Sequence, residues 1–173
     1  MTITPPQETE FAPFYAGYIA KVSSLGPIGL LENQLDAFDV LRQVPADESN
    51  HRYAPDKWSV KEVVGHVADA ERVFSYRLLR IARADETPLA GFDENAWART
   101  APHANRRLAD IADELIAVRR ATIALVASLD EAMLARTALA NNKPVTARAI
   151  CWIIPGHAQH HLDVLRERYG VKV

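Results

Sequence analysis

The sequence predicts an all-α protein: a four-helix bundle with a short N-terminal helix or arm and two long inter-helix loops. Three observations predict it. Four apolar stripes recur at steps of three and four residues, each is bounded by a helix start signal or a breaker, and no strand–helix alternation is present. A chain of 173 residues, 49% apolar and 24% charged, has the size and composition of one globular domain with a proper core.

The first ten residues read as a loose tail. Phe11, Phe14, Tyr15, Tyr18, Ile19 and Val22 then recur at helical spacing, as in an arm laid on the main body. Residues 1–24 are therefore expected to form a tail and docking arm, and residues 25–173 the bundle. Gly26-Pro27 opens the first long helix, near 27–43, with Ile28, Leu31, Leu35, Phe38 and Leu41 on its inner stripe. The second, near 59–83, opens at the capping box SVKE, where Ser59 and Glu62 satisfy free backbone N–H groups. TPLAGFDENAWARTAPH follows as a long connection without periodicity, the kind that often forms a lid. The third helix, near 107–129, carries Leu108, Ile111, Leu115, Val118, Thr122 and Leu125 almost in heptad register. LARTALANNKPV is a second irregular connection that turns at Asn141-Asn142, and no segment reads as a convincing strand. The last helix, near 146–168, contains Pro155-Gly156, which is expected to kink it or divide it in two.

His157 and His161 in GHAQHHLDVL carry the strongest chemical signal. Four residues apart, they stack one turn above the other in the middle of an apolar stripe, so both imidazoles point into the bundle. Core histidines hydrogen-bonded to neighbours are the plain alternative, but an apolar core offers few partners and a metal ion meets the need of both. His66, on the flank of the second helix's stripe, adds a third imidazole from another helix. Three such ligands leave positions open for water or substrate, the plan of a catalytic metal site. His160 lies off the stripe and is expected at the surface or beside a ligand.

Glu71 projects near the centre of an apolar face, where a bare carboxylate is costly. It is either ion-paired with an inward arginine or lysine, or it serves the site as a general base or as the partner of a ligand histidine. Asp69 is expected to be solvated. Asp93 and Glu94 sit where the lid loop could bring them to the site, and Arg77, Arg80 and Arg83 read as a solvated helix face. The single Cys151 reads as a small buried residue and excludes a disulfide framework.

KWSVKEVVGHVADAERVFSYRLLRIARAD, GFDENAW and PVTARAICWIIPGHAQHHLDVLRERYG together resemble the DinB-like superfamily over about residues 28 to 170. The resemblance implies a four-helix bundle with a metal held by three histidines, and motif matching carries that role to His66, His157 and His161. Relatives of this kind include metal-dependent hydrolases and bacillithiol- or mycothiol-dependent transferases.

The expected function is thus a metal-dependent enzyme acting on small molecules, with the site activating a thiol or water. The alternative is a non-catalytic, metal-binding stress-response protein whose ion is structural. Zinc or nickel is the expected divalent ion, with iron and manganese also compatible with imidazole. The expected partners are a small-molecule substrate, with a low-molecular-weight thiol as candidate, and a second copy in a homodimer, with neither nucleic acid nor membrane. A net charge of −2 with interspersed acids and bases disfavours nucleic acid. The polar N-terminus MTITPPQETEF and the absence of a long apolar run point away from secretion and membranes, to the cytoplasm.

Overall fold

A computed structural model describes residues 2–22 and 24–173. The four long helices are α2 (Gly26–Leu41), α4 (Val60–Ala82), α6 (Leu108–Ala127) and α8 (Ala147–Tyr169), with the short helices α1 (Ala16–Ile19), α3 (Ala46–Ser49), α5 (Glu94–Thr100) and α7 (Glu131–Leu134) between or before them. α4 packs on α6 and α8, and α2 packs on the same two helices, closing a ring of four. Helix starts follow the sequence signals. Ser59 Oγ accepts from the Glu62 N–H while Glu62 accepts from the Ser59 N–H at 2.6 Å. Thr146 Oγ1 accepts from the Ala149 N–H at 3.0 Å. α8 ends at Gly170, whose φ of 71° is the left-handed cap that glycine adopts without penalty.

Apolar side chains form two clusters. One gathers Leu31, Leu78, Val126, Ile150 and Ile153, and the other Phe38, Val64, Ile111, Leu115 and Leu162. On each long helix the change from one cluster to the other falls at or within two residues of a polar residue: Gln34 on α2, Glu71 on α4, Arg119 on α6 and His157 on α8. All four are buried. A polar layer therefore crosses the middle of the bundle. Arg119, fully buried, donates from Nε and Nη2 to the two Glu71 oxygens at 2.8 and 2.7 Å. Its Nη1 donates to Gln34 Oε1 at 2.6 Å and to the Leu31 carbonyl at 3.2 Å. Gln34 Nε2 in turn donates to the Pro155 carbonyl at 2.9 Å. Buried polar groups persist when each finds a partner, and here the partners come from all four helices.

Three expectations are corrected. Of the kink or division expected at Pro155, the division does not occur: α8 runs through it as one helix, with Ile153, Ile154 and Ala158 on both sides of the proline held in the core. The second irregular segment holds a hairpin, β1 (Thr137–Ala140) paired antiparallel with β2 (Lys143–Thr146). Asn141 and Asn142, with φ of 50° and 59°, form its two-residue turn, a conformation asparagine tolerates better than most residues. Leu89 bridges to Ala140 and fastens the start of the first long connection to this hairpin. Of the expected loose tail, Met1 lies outside the described residues, and residues 2–10 are not loose: Ile3 is buried in the core, and Arg148 donates to Thr4 Oγ1 and faces Glu10.

The arm reaches the bundle centre through one close approach. A Cβ on Gly156 would lie 2.0 Å from the Tyr18 carbonyl oxygen, so α1 can lie on α8 only because residue 156 has no side chain.

Candidate metal centre

His66 stands on the second turn of α4, and His157 and His161 stand one turn apart on α8. The packing of these two helices turns all three imidazoles toward one point. The Nε2 atoms of His66 and His157 are 3.2 Å apart, as are those of His157 and His161. All three ligand atoms lie within 4.8 Å of one another. A ring nitrogen carries one proton or one lone pair, so His157 Nε2 cannot satisfy both neighbours as a hydrogen-bond partner. Tetrahedral ligands about 2.0–2.1 Å from zinc stand about 3.3–3.4 Å apart, close to the two short edges of this triangle. The donor set fits a divalent ion.

Burial also favours the ligand form. It pushes the His66 pKa down to about 4, against the raising pull of Glu94 and Asp69. Burial first, then the neighbouring imidazoles, hold His157 and His161 well below the ordinary histidine value. Neutral imidazoles, lone pairs free, are what a metal binds.

Aromatic rings enclose the triad. The Trp58 ring centroid is 4.8 Å from that of His66, and Tyr18 and Phe74 present edges to His157 at 5.3 and 5.6 Å. The triad opens on a cavity of about 400 Å³ whose wall includes these rings, Phe92 and Tyr15 from the lid and arm, and two charged residues, Glu94 and Arg77.

Glu71 does not line the cavity; both its oxygens are engaged by Arg119 in the polar layer. Glu94 does line it, from the first turn of α5, whereas Asp93 caps that helix by accepting from the Ala96 N–H at 2.9 Å. His160 is half-buried, its ring 5.4 Å from Tyr18 and 5.0 Å from His161. Cys151 is fully buried, and burial pushes its thiol up to about 12, far from a reactive thiolate. Asp69 is not solvated: it is partly buried between His103 at 3.3 Å and Arg72 at 3.6 Å. Arg77 departs most from expectation. It is buried, while Arg80 is partly exposed and paired with Asp85, and Arg83 is exposed. The lid segment at Ala90 to Phe92, folded over Arg77, makes the difference. Tyr18 and Phe74 escaped the sequence reading as site residues because their spacing is that of ordinary core positions, and Trp58 because it lies in the polar connection before the Ser59 cap.

The sequence profile of the DinB superfamily matches residues 30–165. Among solved structures, the chain is similar to YfiT from Bacillus subtilis, a probable metal-dependent hydrolase with an unusual four-helix bundle topology. The likeness has a TM-score of 0.71 at 18% identity and covers 96% of this chain and 94% of that one. No curated protein matches the chain. Among the described residues no helix is long and apolar enough to cross a membrane.

Proposed function

This chain belongs to the DinB superfamily, and on that footing we propose that it is a metal-dependent enzyme acting on small molecules, of the hydrolase or thiol-transferase kind, with a divalent ion held by His66, His157 and His161. The observation that carries the reading is the convergence of three Nε2 atoms on one wall of a 400 Å³ cavity. A purely structural ion needs no such space, and cavities of this size take small organic ligands. Zinc and nickel are the first candidates, since both accept three imidazoles.

A divalent ion there supplies positive charge that makes a thiol or a water easier to deprotonate. The residues around it have separate tasks. Trp58, Tyr18 and Phe74 keep bulk water from the triad and strengthen electrostatic contacts inside the cavity. Glu94, a carboxylate on the cavity wall close enough to raise the pKa of both His66 and Tyr18, is the group placed to receive the proton of the incoming thiol or water. Glu71 acts at a distance, fixing the polar layer that contains His157. The arm's Phe14, 73% exposed, is the apolar residue through which two copies would pair, and sedimentation at micromolar concentration tests that pairing.

The test of the activity loads purified protein with zinc, nickel, manganese or iron and supplies cellular thiols with a generic electrophile, or a hydrolysable ester. Product that vanishes in His157→Ala supports the reading. Glu94→Gln is expected to slow turnover at least about tenfold while the metal stays bound. No product with any metal moves the assignment to a metal-binding protein whose ion staples α4 to α8.

A further inference from the structure

His66, Ala70, Phe74 and Arg77 follow one another at steps of four, four and three along α4, and all four face the cavity. The stripe spans three helical turns, about 16 Å between its end Cα atoms. The histidine site occupies one end and a guanidinium the other.

That guanidinium is unusual in this protein. Arg77 is only 4% exposed. Its Nη2 donates to the Ala90 carbonyl at 2.7 Å, and among the described residues no carboxylate lies within ion-pair distance of it. Three other arginines of the long helices have a carboxylate partner: Arg119 with Glu71, Arg72 with Glu114 and Arg80 with Asp85. The Arg77 guanidinium carbon instead stands 5.9 Å from the Phe74 ring centre and 6.0 Å from that of Phe92, both cavity walls. These contacts give some attraction, far less than an anion would. A buried cation with no counter-charge is costly, and its unused N–H donors form a fork that fits a planar oxyanion.

We propose that Arg77 is the anchor for the carboxylate of the substrate, whose apolar body lies between Phe74 and Phe92 and whose other end reaches the histidines. The substrate class is then a small organic acid with an aromatic or aliphatic body. One guanidinium matches one carboxylate, whereas a phosphate dianion would leave surplus charge against aromatic walls. This assignment rests on the cavity being the substrate site, and it deepens that reading by naming the chemistry of the end remote from the metal.

The test is calorimetric titration of the purified protein with hydrocinnamate and with its neutral primary amide, without and with a chelator. Hydrocinnamate is expected to bind at least about tenfold more tightly than the amide, as one charge-assisted pair provides. Arg77→Gln is expected to remove that preference while leaving metal content unchanged. Arg77→Lys, which keeps the charge and loses the fork, is expected to retain part of it, and it stands in if the Gln variant does not fold. Equal binding of acid and amide by the wild type, failure of both to bind, or a preference that survives in Arg77→Gln would overturn the proposal. A preference abolished by the chelator but not by Arg77→Gln would likewise overturn it, placing the carboxylate on the metal. Absence of bound metal, by contrast, would defeat the enzyme reading and leave the acid–amide comparison intact.

Discussion

Replacing Glu71 by Gln keeps the shape of the side chain and removes its charge. In the folded protein Arg119 has no exposure at all, and two of its four hydrogen bonds go to Glu71, at 2.7 and 2.8 Å. The Gln amide would offer one oxygen and turn its NH₂ toward a guanidinium N–H, leaving a buried cation without an anion. Breaking one side of such a pair costs about 3–5 kcal/mol. For a chain of this length, where 1 kcal/mol moves the midpoint by about 2–4 °C, the expected loss is on the order of 10 °C in Tm. Thermal and urea denaturation followed by circular dichroism would measure it, with metal content determined on the same samples. The double variant Glu71→Leu with Arg119→Met, apolar on both sides, is expected to recover most of the loss. A Glu71→Gln protein that melts within about 2 °C of wild type would refute the assignment of Glu71 to the polar layer's stability. Lost turnover at unchanged stability would return Glu71 to proton transfer.

Other outcomes follow from the same geometry. Folded His66 titrates near 4 and unfolded histidine near 6.5, so the unfolded chain takes up protons first as pH falls. Stability is therefore full above that unfolded value and declines between about pH 6.5 and 4, by up to about 1.4 kcal/mol per pH unit for each such imidazole; urea midpoints across this range would record it, with a shallower slope in His66→Ala. His160→Ala is expected to bind metal nearly as wild type does, whereas loss of metal in that variant with retention in His161→Ala would mean the wrong face of α8 was assigned. Gly156→Ala would drive a methyl against the Tyr18 carbonyl, 2.0 Å from the ideal Cβ position, and lift the arm. Limited proteolysis should then cut between Phe11 and Val22, where the wild type resists.

Much of this arrangement was legible in the residues. The four stripes placed the long helices within a few residues of their ends, since the SVKE capping box and the Gly26-Pro27 start are local chemistry. The spacing of His157 and His161 on one inward line, and the cost of a bare inward Glu71, likewise follow from helical arithmetic. Arg119 sits between Leu115 and Thr122 on α6's stripe, so the partner Glu71 required was available to the same arithmetic. What escaped depends on tertiary contacts. Arg77 repeats at steps of three with Arg80 and Arg83 as a solvated face would; its burial comes from a lid segment that the Leu89–Ala140 bridge holds in place. The hairpin strands are four residues each and lack a clear alternation, so they are formed by pairing rather than by pattern. Packing likewise overrides the break that Pro155 alone would suggest.

His66, His157 and His161 are proposed to hold one metal ion per chain. This is tested most directly by metal analysis of protein purified without an affinity tag, then incubated with zinc or nickel and freed of excess. Close to one ion per chain is expected in the wild type, none in His157→Ala or His161→Ala, and severely weakened binding in His66→Ala. A wild type that retains no ion after such loading, or a His157→Ala protein that retains as much as the wild type, would contradict it.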